Sequence, residues 1–314
     1  MIIKQTRDFI MQETSKIIIG QNKVIEELIL CYLAGGHVIL ESVPGLAKTL
    51  LAKTFAHVTG ITFSRIQFTP DLMPSDILGN SIYNLKNQQF EFKKGPVFTN
   101  ILLADEINRA SPKTQSALLE IMQERQVTAD GIKFSLEKPY MVIATQNPIE
   151  FEGTYPLPEA QLDRFLMKII LSYPAKSDEK NILKMVRDGF DSEDIDSFHF
   201  EKLPETWFNE CREEAKKITV DDSIINFISD IVEETRNNSQ IVLGVSIRAA
   251  TGILKLARFS AALDDRDFVI PDDVKKFIKP VLRHRIILDS EAEIDGLNTD
   301  AVIEKIINKV KVPR

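Results

Sequence analysis

The chain has 314 residues, of which 44% are hydrophobic, and its 39 basic and 46 acidic side chains leave a formal charge of −7. These values exclude a collagen-like, disordered or disulfide-scaffold chain, and the acidic balance argues against a protein that coats nucleic acid non-specifically. Cys31 and Cys211 form no CxxC, and His37, His57, His199 and His284 form no HExxH or Cys/His ligand cluster. That usage argues against a zinc hydrolase and points to a reducing, cytoplasmic compartment. The opening MIIKQTRDFIMQ is broken by Lys4, Arg7 and Asp8 and has no signal-peptide core. The longest apolar run, 28–40, is interrupted by Gly35-Gly36 and stops at Glu41, short of the ~18 apolar residues of a membrane helix.

In chain order, apolar residues at helical spacing predict a helix over 23–34, ended by Gly35-Gly36. HVILE at 37–41 reads as a short buried strand, and KTLLAKTFAHV at 48–58 as the helix that follows it. The apolar runs at 62–68, 100–106, 140–147 and 165–171 predict four more strands. Ser111-Pro112 marks the start of a helix over 111–124, serine as N-cap and proline at the first helical position. Five buried strands alternating with helices predict an α/β fold with a doubly wound parallel sheet.

Two stretches break the alternation. Residues 69–98 contain NSIYNL and QQFEFKK around Lys86-Asn87, and residues 126–136 carry Asp130-Gly131 between two β-prone runs; both read as inserted β-hairpins. After Pro174 the pattern changes. Residues 190–203 read as an acidic connector, and 177–189, 205–217, 221–236, 246–264 and 271–283 as helices, with Asp221 or Asp222 as an N-cap and Pro271 at a helix start. The expected organisation is an αβα core over 1–174 and a connector with a small α-helical lid over 175–314.

The chemistry gathers at strand ends. HVILE runs into Ser42, Val43, Pro44, Gly45, Leu46, Ala47, Lys48 and Thr49, and then into helix at Leu50. Strand, tight loop and helix place backbone N–H groups and a helix N-terminus against an anion. Lys48 would reach the β- and γ-phosphates and the Thr49 hydroxyl would hold Mg²⁺. Against the pattern G-x-x-x-x-G-K-[ST], Ser42 and Ala47 replace the glycines; Ala47 is small enough for close backbone approach with a negative φ. The plain alternative is an ordinary strand–helix turn. Asp105 and Glu106 end the strand ILLADE, where Asp105 would bind Mg²⁺ and Glu106 would activate the attacking water; the alternative is a solvated strand end. Asn147 ends YMVIATQN and would position a water near the γ-phosphate, or else simply starts the Asn-Pro turn. Arg164 precedes the last strand and could reach a neighbouring subunit's γ-phosphate, or else pair with Asp163 or Glu159. Arg248 opens a lid helix and could bridge lid and nucleotide, or else is a solvated first-turn arginine.

These segments carry a family resemblance. IIGQ (18–21), LESVPGLAKT (40–49), RIQFTPDLMPSDILG (65–79), ADEINRASPKTQSALLEIMQE (104–124), ATQNPIEFEGTYPLPEAQLDRF (144–165), GVSIRA (244–249) and LRHRI (282–286) resemble a MoxR-family AAA+ ATPase over almost the whole chain. The resemblance implies an AAA+ nucleotide domain with a helical lid, ATP or ADP with Mg²⁺ bound between subunits, and a homo-oligomeric, typically hexameric, ring. It implies Walker A at Lys48 and Thr49, Walker B at Asp105 and Glu106, sensor 1 at Asn147, an arginine finger at Arg164 and sensor 2 at Arg248. Gly20 and Gln21 match the segment beside the adenine. It also implies a chaperone-like remodelling or maturation role, with a von Willebrand A-domain protein and a client as partners. A nucleic-acid or metal-chelatase motor shares the same core, but Lys93 and Lys94 are the only basic cluster in the inserts. A nucleotide-binding scaffold with little turnover would have small need of Asp105, Glu106, Asn147 and Arg164. Leu72, Met73 and Phe90 in the inserts are candidates for a partner surface or for packing within the ring.

Overall fold

A computed structural model describes residues 1–314 except 44, 149–152, 193, 196, 197 and 314. Two helices come first, α1 (Ile2–Thr14) and α2 (Asn22–Leu33), followed by β1 (Val38–Glu41), α3 (Lys48–Thr59) and β2 (Phe63–Gln67). A short α4 (Pro74–Leu78) leads into the hairpin β3 (Gly79–Asn84) and β4 (Gln89–Lys94). Then come β5 (Ile101–Asp105), α5 (Pro112–Glu124), the hairpin β6 (Gln126–Ala129) and β7 (Ile132–Ser135), β8 (Met141–Gln146), α6 (Glu159–Leu162) and β9 (Met167–Ile170). The rest holds α7 (Lys176–Arg187), α8 (Trp207–Lys217), α9 (Asp222–Asn237), β10 (Ile241–Leu243), α10 (Ile247–Leu263), α11 (Pro271–Leu282), β11 (Ile287–Leu288), α12 (Ser290–Ile294) and α13 (Thr299–Lys309).

The five expected strands form one parallel sheet in the order β2-β5-β8-β1-β9. Successive strand residues face opposite sides, so each strand feeds two cores. Val38, Leu40, Leu103 and Ile143 join α1, α2, α3 and the lid helices in one apolar cluster. Ile39, Leu102, Ala104, Val142 and Ala144 join α5 and Phe165 in the other. The result is the doubly wound αβα layer that the alternation of strands and helices predicts. His37, just before β1, is buried; Nδ1 accepts from the Val142 amide at 2.9 Å and Nε2 meets the Met122 carbonyl at 3.1 Å. Burial lowers its pKa to about 4, so it serves as a neutral cross-link between β8 and α5.

Both hairpins are present. Asp130 and Gly131 carry φ of 49° and 77°, the left-handed pair that a tight two-residue turn requires. The hairpins lean on each other through Phe92 and Phe134, stacked at 4.6 Å. Ser111 caps α5 and Asp221 caps α9 through their side chains. The reading of the sequence passes over α1, which is amphipathic and buries Ile3, Thr6 and Ile10. It also passes over α12, α13 and the small β10–β11 ribbon. Helix α1 packs on α2 and α3 and also on α8 and α10, far along the chain. Its Thr6 hydroxyl lies 3.1 Å from the Cys211 sulfur, and the Ile3 amide donates to the Glu214 carboxylate at 2.8 Å. Among the described residues no helix is long and apolar enough to cross a membrane.

Candidate functional site

In a parallel sheet, ligands meet the carboxyl ends of the strands, beside the point where the strand order reverses. Here β1 lies between β8 and β9, while the next strand in sequence, β2, lies at the far edge. The loop after β1 is held to β8 by the Ser42 amide, which donates to the Gln146 carbonyl at 3.3 Å. The buried Ser42 hydroxyl turns back to the Val43 carbonyl at 2.9 Å. Gly45 has φ of 83° with nothing near the position a Cβ would take, so the loop is open to a ligand there. Lys48 and Thr49 form the first turn of α3, and the Lys48 ammonium donates to the Ser42 carbonyl at 3.2 Å. Leu46 and Leu50 pack toward the cluster beneath. Pro44 lies outside the described residues.

Ala47 corrects one expectation. Its φ is 53°, left-handed rather than negative, so the alanine keeps the backbone turn that a glycine makes without strain. For an L-residue that region costs about 1–2 kcal/mol, while a glycine loses roughly 0.5–1 kcal/mol in chain entropy. Ala47→Gly should therefore raise stability by about 0.5–1 kcal/mol in urea unfolding; a loss of stability would show the turn to be unstrained.

Next to this loop is an apolar cavity of about 370 Å³. Ile18, Gln21, Leu46, Ala47, Met185 and Phe190 are among its walls. Gln21 is fixed by donation from its amide to the Ser172 carbonyl at 2.9 Å. Gly20, at φ 77°, approaches α7 so closely that a Cβ would sit 2.8 Å from an Asp178 carboxylate oxygen. An apolar cavity beside a loop that leads into a helix N-terminus has the chemistry a nucleotide base and its phosphates require. The contribution of α7 is missed by sequence reading, although Ile182, Met185 and Val186 at helical spacing on a polar helix are its signal.

The acidic pair ends β5. Asp105 is 7% exposed, and its Oδ1 accepts from the Thr145 hydroxyl at 2.6 Å. Its Oδ2 accepts from Arg65 Nη2 at 2.6 Å and from Nε at 3.2 Å. Glu106 has φ of 55°, a left-handed residue held by its surroundings. Its amide donates to the Thr145 hydroxyl at 2.9 Å. Its carboxylate accepts from Gln67 at 2.7 Å and pairs with Arg109 at 3.0 Å. Thr145 thus holds the Asp105 carboxylate and the Glu106 backbone amide from the neighbouring strand. Arg65, Gln67, Arg109 and Thr145 are absent from the sequence-derived set. Alternation along β2 places Arg65 and Gln67 on one face, and that is the signal that finds them.

Asn147 follows β8 and is buried at the sheet's carboxyl edge, on a cavity of about 380 Å³ that also touches Glu41, Lys168 and His284. Burial holds the His284 imidazole well below its usual pKa, and its Nε2 meets the Phe165 carbonyl at 3.1 Å. Arg164 pairs with neither Asp163 nor Glu159. Its guanidinium donates to the Leu119 carbonyl of α5, the helix on the face of the sheet opposite α3.

Arg248, in the first turn of α10, lies 3.4 Å from the Asp163 carboxylate. Asp163 also accepts from the Ser246 hydroxyl at 3.0 Å and from Arg285 Nε at 2.8 Å. Arg285 is buried, and its remaining N–H groups reach the carbonyls of Asp163, Phe165, Leu166 and Val281. The Leu166 side chain lies between Gly36 and the lid's Gly252, where added Cβ atoms would come within 2.4 and 2.8 Å of it. The lid therefore grips residues 163, 165 and 166, leaving Arg164 turned to α5. Asp163→Ala strands a buried guanidinium and should cost about 3–5 kcal/mol; a loss below about 1 kcal/mol in urea unfolding would remove Asp163 as the anchor.

Comparisons with known proteins match both the sheet-bearing and the helical parts of the chain. The sequence profile of the ATPase family associated with various cellular activities (AAA) matches residues 37–167, and that of the AAA lid domain matches 233–306. Chaperone MoxR1 of Mycobacterium tuberculosis is 44% identical over 311 residues, covering 96% of this chain and 81% of its own. The uncharacterised protein YeaC of Bacillus subtilis is 44% identical over 303 residues, with 96% and 93% covered. The crystal structure of an ATPase candidate from Cytophaga hutchinsonii superposes with a TM-score of 0.90 at 42% identity, covering 99% of this chain and 96% of that one.

Proposed function

Because the chain belongs to the MoxR family of AAA+ ATPases, we propose that it hydrolyses ATP at a site shared between neighbouring copies in a ring and uses the cycle to remodel a partner protein. The observation that carries this reading is the joint placement of loop, cavity and acidic pair on one edge of the sheet. The adenine enters the cavity walled by Gln21, Met185 and Phe190. The phosphates lie on the loop amides and the N-terminus of α3. Lys48 exchanges the Ser42 carbonyl for phosphate oxygens. The Thr49 hydroxyl and the Asp105 carboxylate are hard oxygen donors that suit Mg²⁺ and would hold it. Among the described residues there is no cluster of three His, Cys, Asp or Glu side chains, as befits a metal whose other ligands are phosphate and water. When bound, Mg²⁺ neutralises charge on the phosphate oxygens. Glu106, steered by Gln67 and Arg109, takes the proton of the attacking water, and Asn147 orients that water.

Arg164 acts on the neighbour's nucleotide; it is turned to α5, on the face opposite α3, which supports a phosphate brought by a second subunit. Arg248, paired with Asp163 from the first turn of α10, is the lid's contact to the nucleotide. The ring is hexameric in this reading. The partners, a von Willebrand A-domain protein and its client, follow from the family resemblance. Phe90 and Leu85, 73% and 83% exposed on the β3–β4 hairpin, are the surface offered to them, and Met73, before α4, is exposed as well. Leu72 is not part of it, because it packs against the α5-side cluster.

The test is specific ATPase rate against protein concentration, with mass followed by light scattering. A rate that rises with assembly is expected. Assembly with nucleotide bound and no turnover would favour a scaffold instead.

A further inference from the structure

Asp105 carries one negative charge and already has a cation. Two guanidinium nitrogens of Arg65 lie on its Oδ2 at 2.6 and 3.2 Å, and the Thr145 hydroxyl takes Oδ1 at 2.6 Å. A divalent cation drawn to the same carboxylate would be repelled by that guanidinium at contact distance. The conflict cannot be relieved by loss of a proton, since a guanidinium stays charged in proteins. It has to be relieved by movement, and Arg65 has somewhere to go. It stands on β2, the edge strand of the sheet, and its side chain is 46% exposed.

We propose that Arg65 is a resident counter-ion for Asp105, which the divalent cation must displace. This rests on reading Asp105 as a metal ligand. The exchange does more than clear a ligand. Arg65 Nη2 also donates to the Gln67 side-chain oxygen at 2.9 Å, and the Gln67 amide donates to Glu106 at 2.7 Å. Departure of Arg65 frees Gln67 from one of its two partners, so arrival of the metal at Asp105 is felt at Glu106. Arg65 is therefore a positioning residue: it holds Asp105 while the site is empty and reports to Glu106 when it fills.

The test uses the full chain and Mn²⁺ as the probe, with free Mn²⁺ counted by electron paramagnetic resonance. Titrations are made without nucleotide and with a non-hydrolysable ATP analogue. Arg65→Ala should bind Mn²⁺ about tenfold more tightly than wild type in both, equivalent to about 1.4 kcal/mol. Arg65→Lys keeps the charge and should stay within about threefold of wild type. Arg65→Gln, which retains a hydrogen-bonding side chain, should follow Arg65→Ala and guards against misfolding. Mn²⁺ alone should raise the melting temperature of Arg65→Ala more than that of wild type at the same concentration. Unchanged or weaker Mn²⁺ binding in folded Arg65→Ala and Arg65→Gln would overturn the proposal, since a mere prop for Asp105 gives that result. Asp105→Asn separates the two readings. If it leaves Mn²⁺ affinity unchanged, the metal-ligand reading itself fails; if it abolishes binding while the Arg65 variants do nothing, only the counter-ion proposal fails.

Discussion

Glu106→Gln should keep ATP bound and lower turnover by about 10²–10⁴, the usual contribution of a positioned general base. The amide is isosteric with the carboxylate and still accepts from Gln67, so the local geometry survives. Asp105 and Thr145 are untouched, and the nucleotide affinity should stay within about twofold of wild type. Single-turnover hydrolysis beside equilibrium nucleotide binding reads both quantities at once. Turnover within about threefold of wild type would take Glu106 out of the role proposed for it. Loss of nucleotide binding together with turnover would mean that the left-handed turn at Glu106, rather than its chemistry, had been disturbed.

Arg164→Ala should lower turnover in the assembled ring by roughly 10³ or more, as expected for an arginine that stabilises charge on the transferred phosphoryl group. Nucleotide binding by the separate subunit should hardly change, because Arg164 touches the Leu119 carbonyl rather than its own phosphate loop. The decisive form of the experiment mixes two inactive proteins. A subunit carrying Arg164→Ala still has Glu106, and one carrying Glu106→Gln still has Arg164. Where the first offers its site to the second, an intact pair is rebuilt, so mixed rings should regain a fraction of wild-type turnover. No regain in rings shown to mix, by co-purification of an untagged variant with an affinity-tagged one, would place Arg164 in service of its own subunit.

What the sequence made legible divides along physical lines. The five sheet strands and the helices with strong caps could be read because burial imposes a pattern on contiguous residues. Asp130-Gly131 announced its turn because few other pairs accept two left-handed residues. Lys48, Thr49, Asp105 and Glu106 stood out because their chemistry is concentrated in short motifs at strand ends. Residues that act by meeting across the fold were silent. Arg65 and Thr145 converge on Asp105 only because β2 and β8 both flank β5, and strand order is not written in any one segment. Arg285 looked like one of several basic residues in LRHRI until the fold buried it against Asp163, 122 positions away in the chain. Ala47 misled for a different reason. Its small side chain suggested an unstrained turn, whereas the loop holds it left-handed and accepts the cost.

The long reach of α1 bears on how the chain is made. In this helix Thr6, Ile3 and Glu13 find partners at Cys211, Glu214 and the Glu201 amide, 205, 211 and 188 positions later. At about 5–20 residues added per second, the part of α1 that packs on α8 and α10 waits roughly 10–40 s on the ribosome before those helices exist, while α2 and α3 cover the rest early. The nascent nucleotide core is complete in sequence well before it is complete in packing. During that interval the growing protein is itself an exposed, aggregation-prone surface, and its own synthesis is a stage at which it needs shielding.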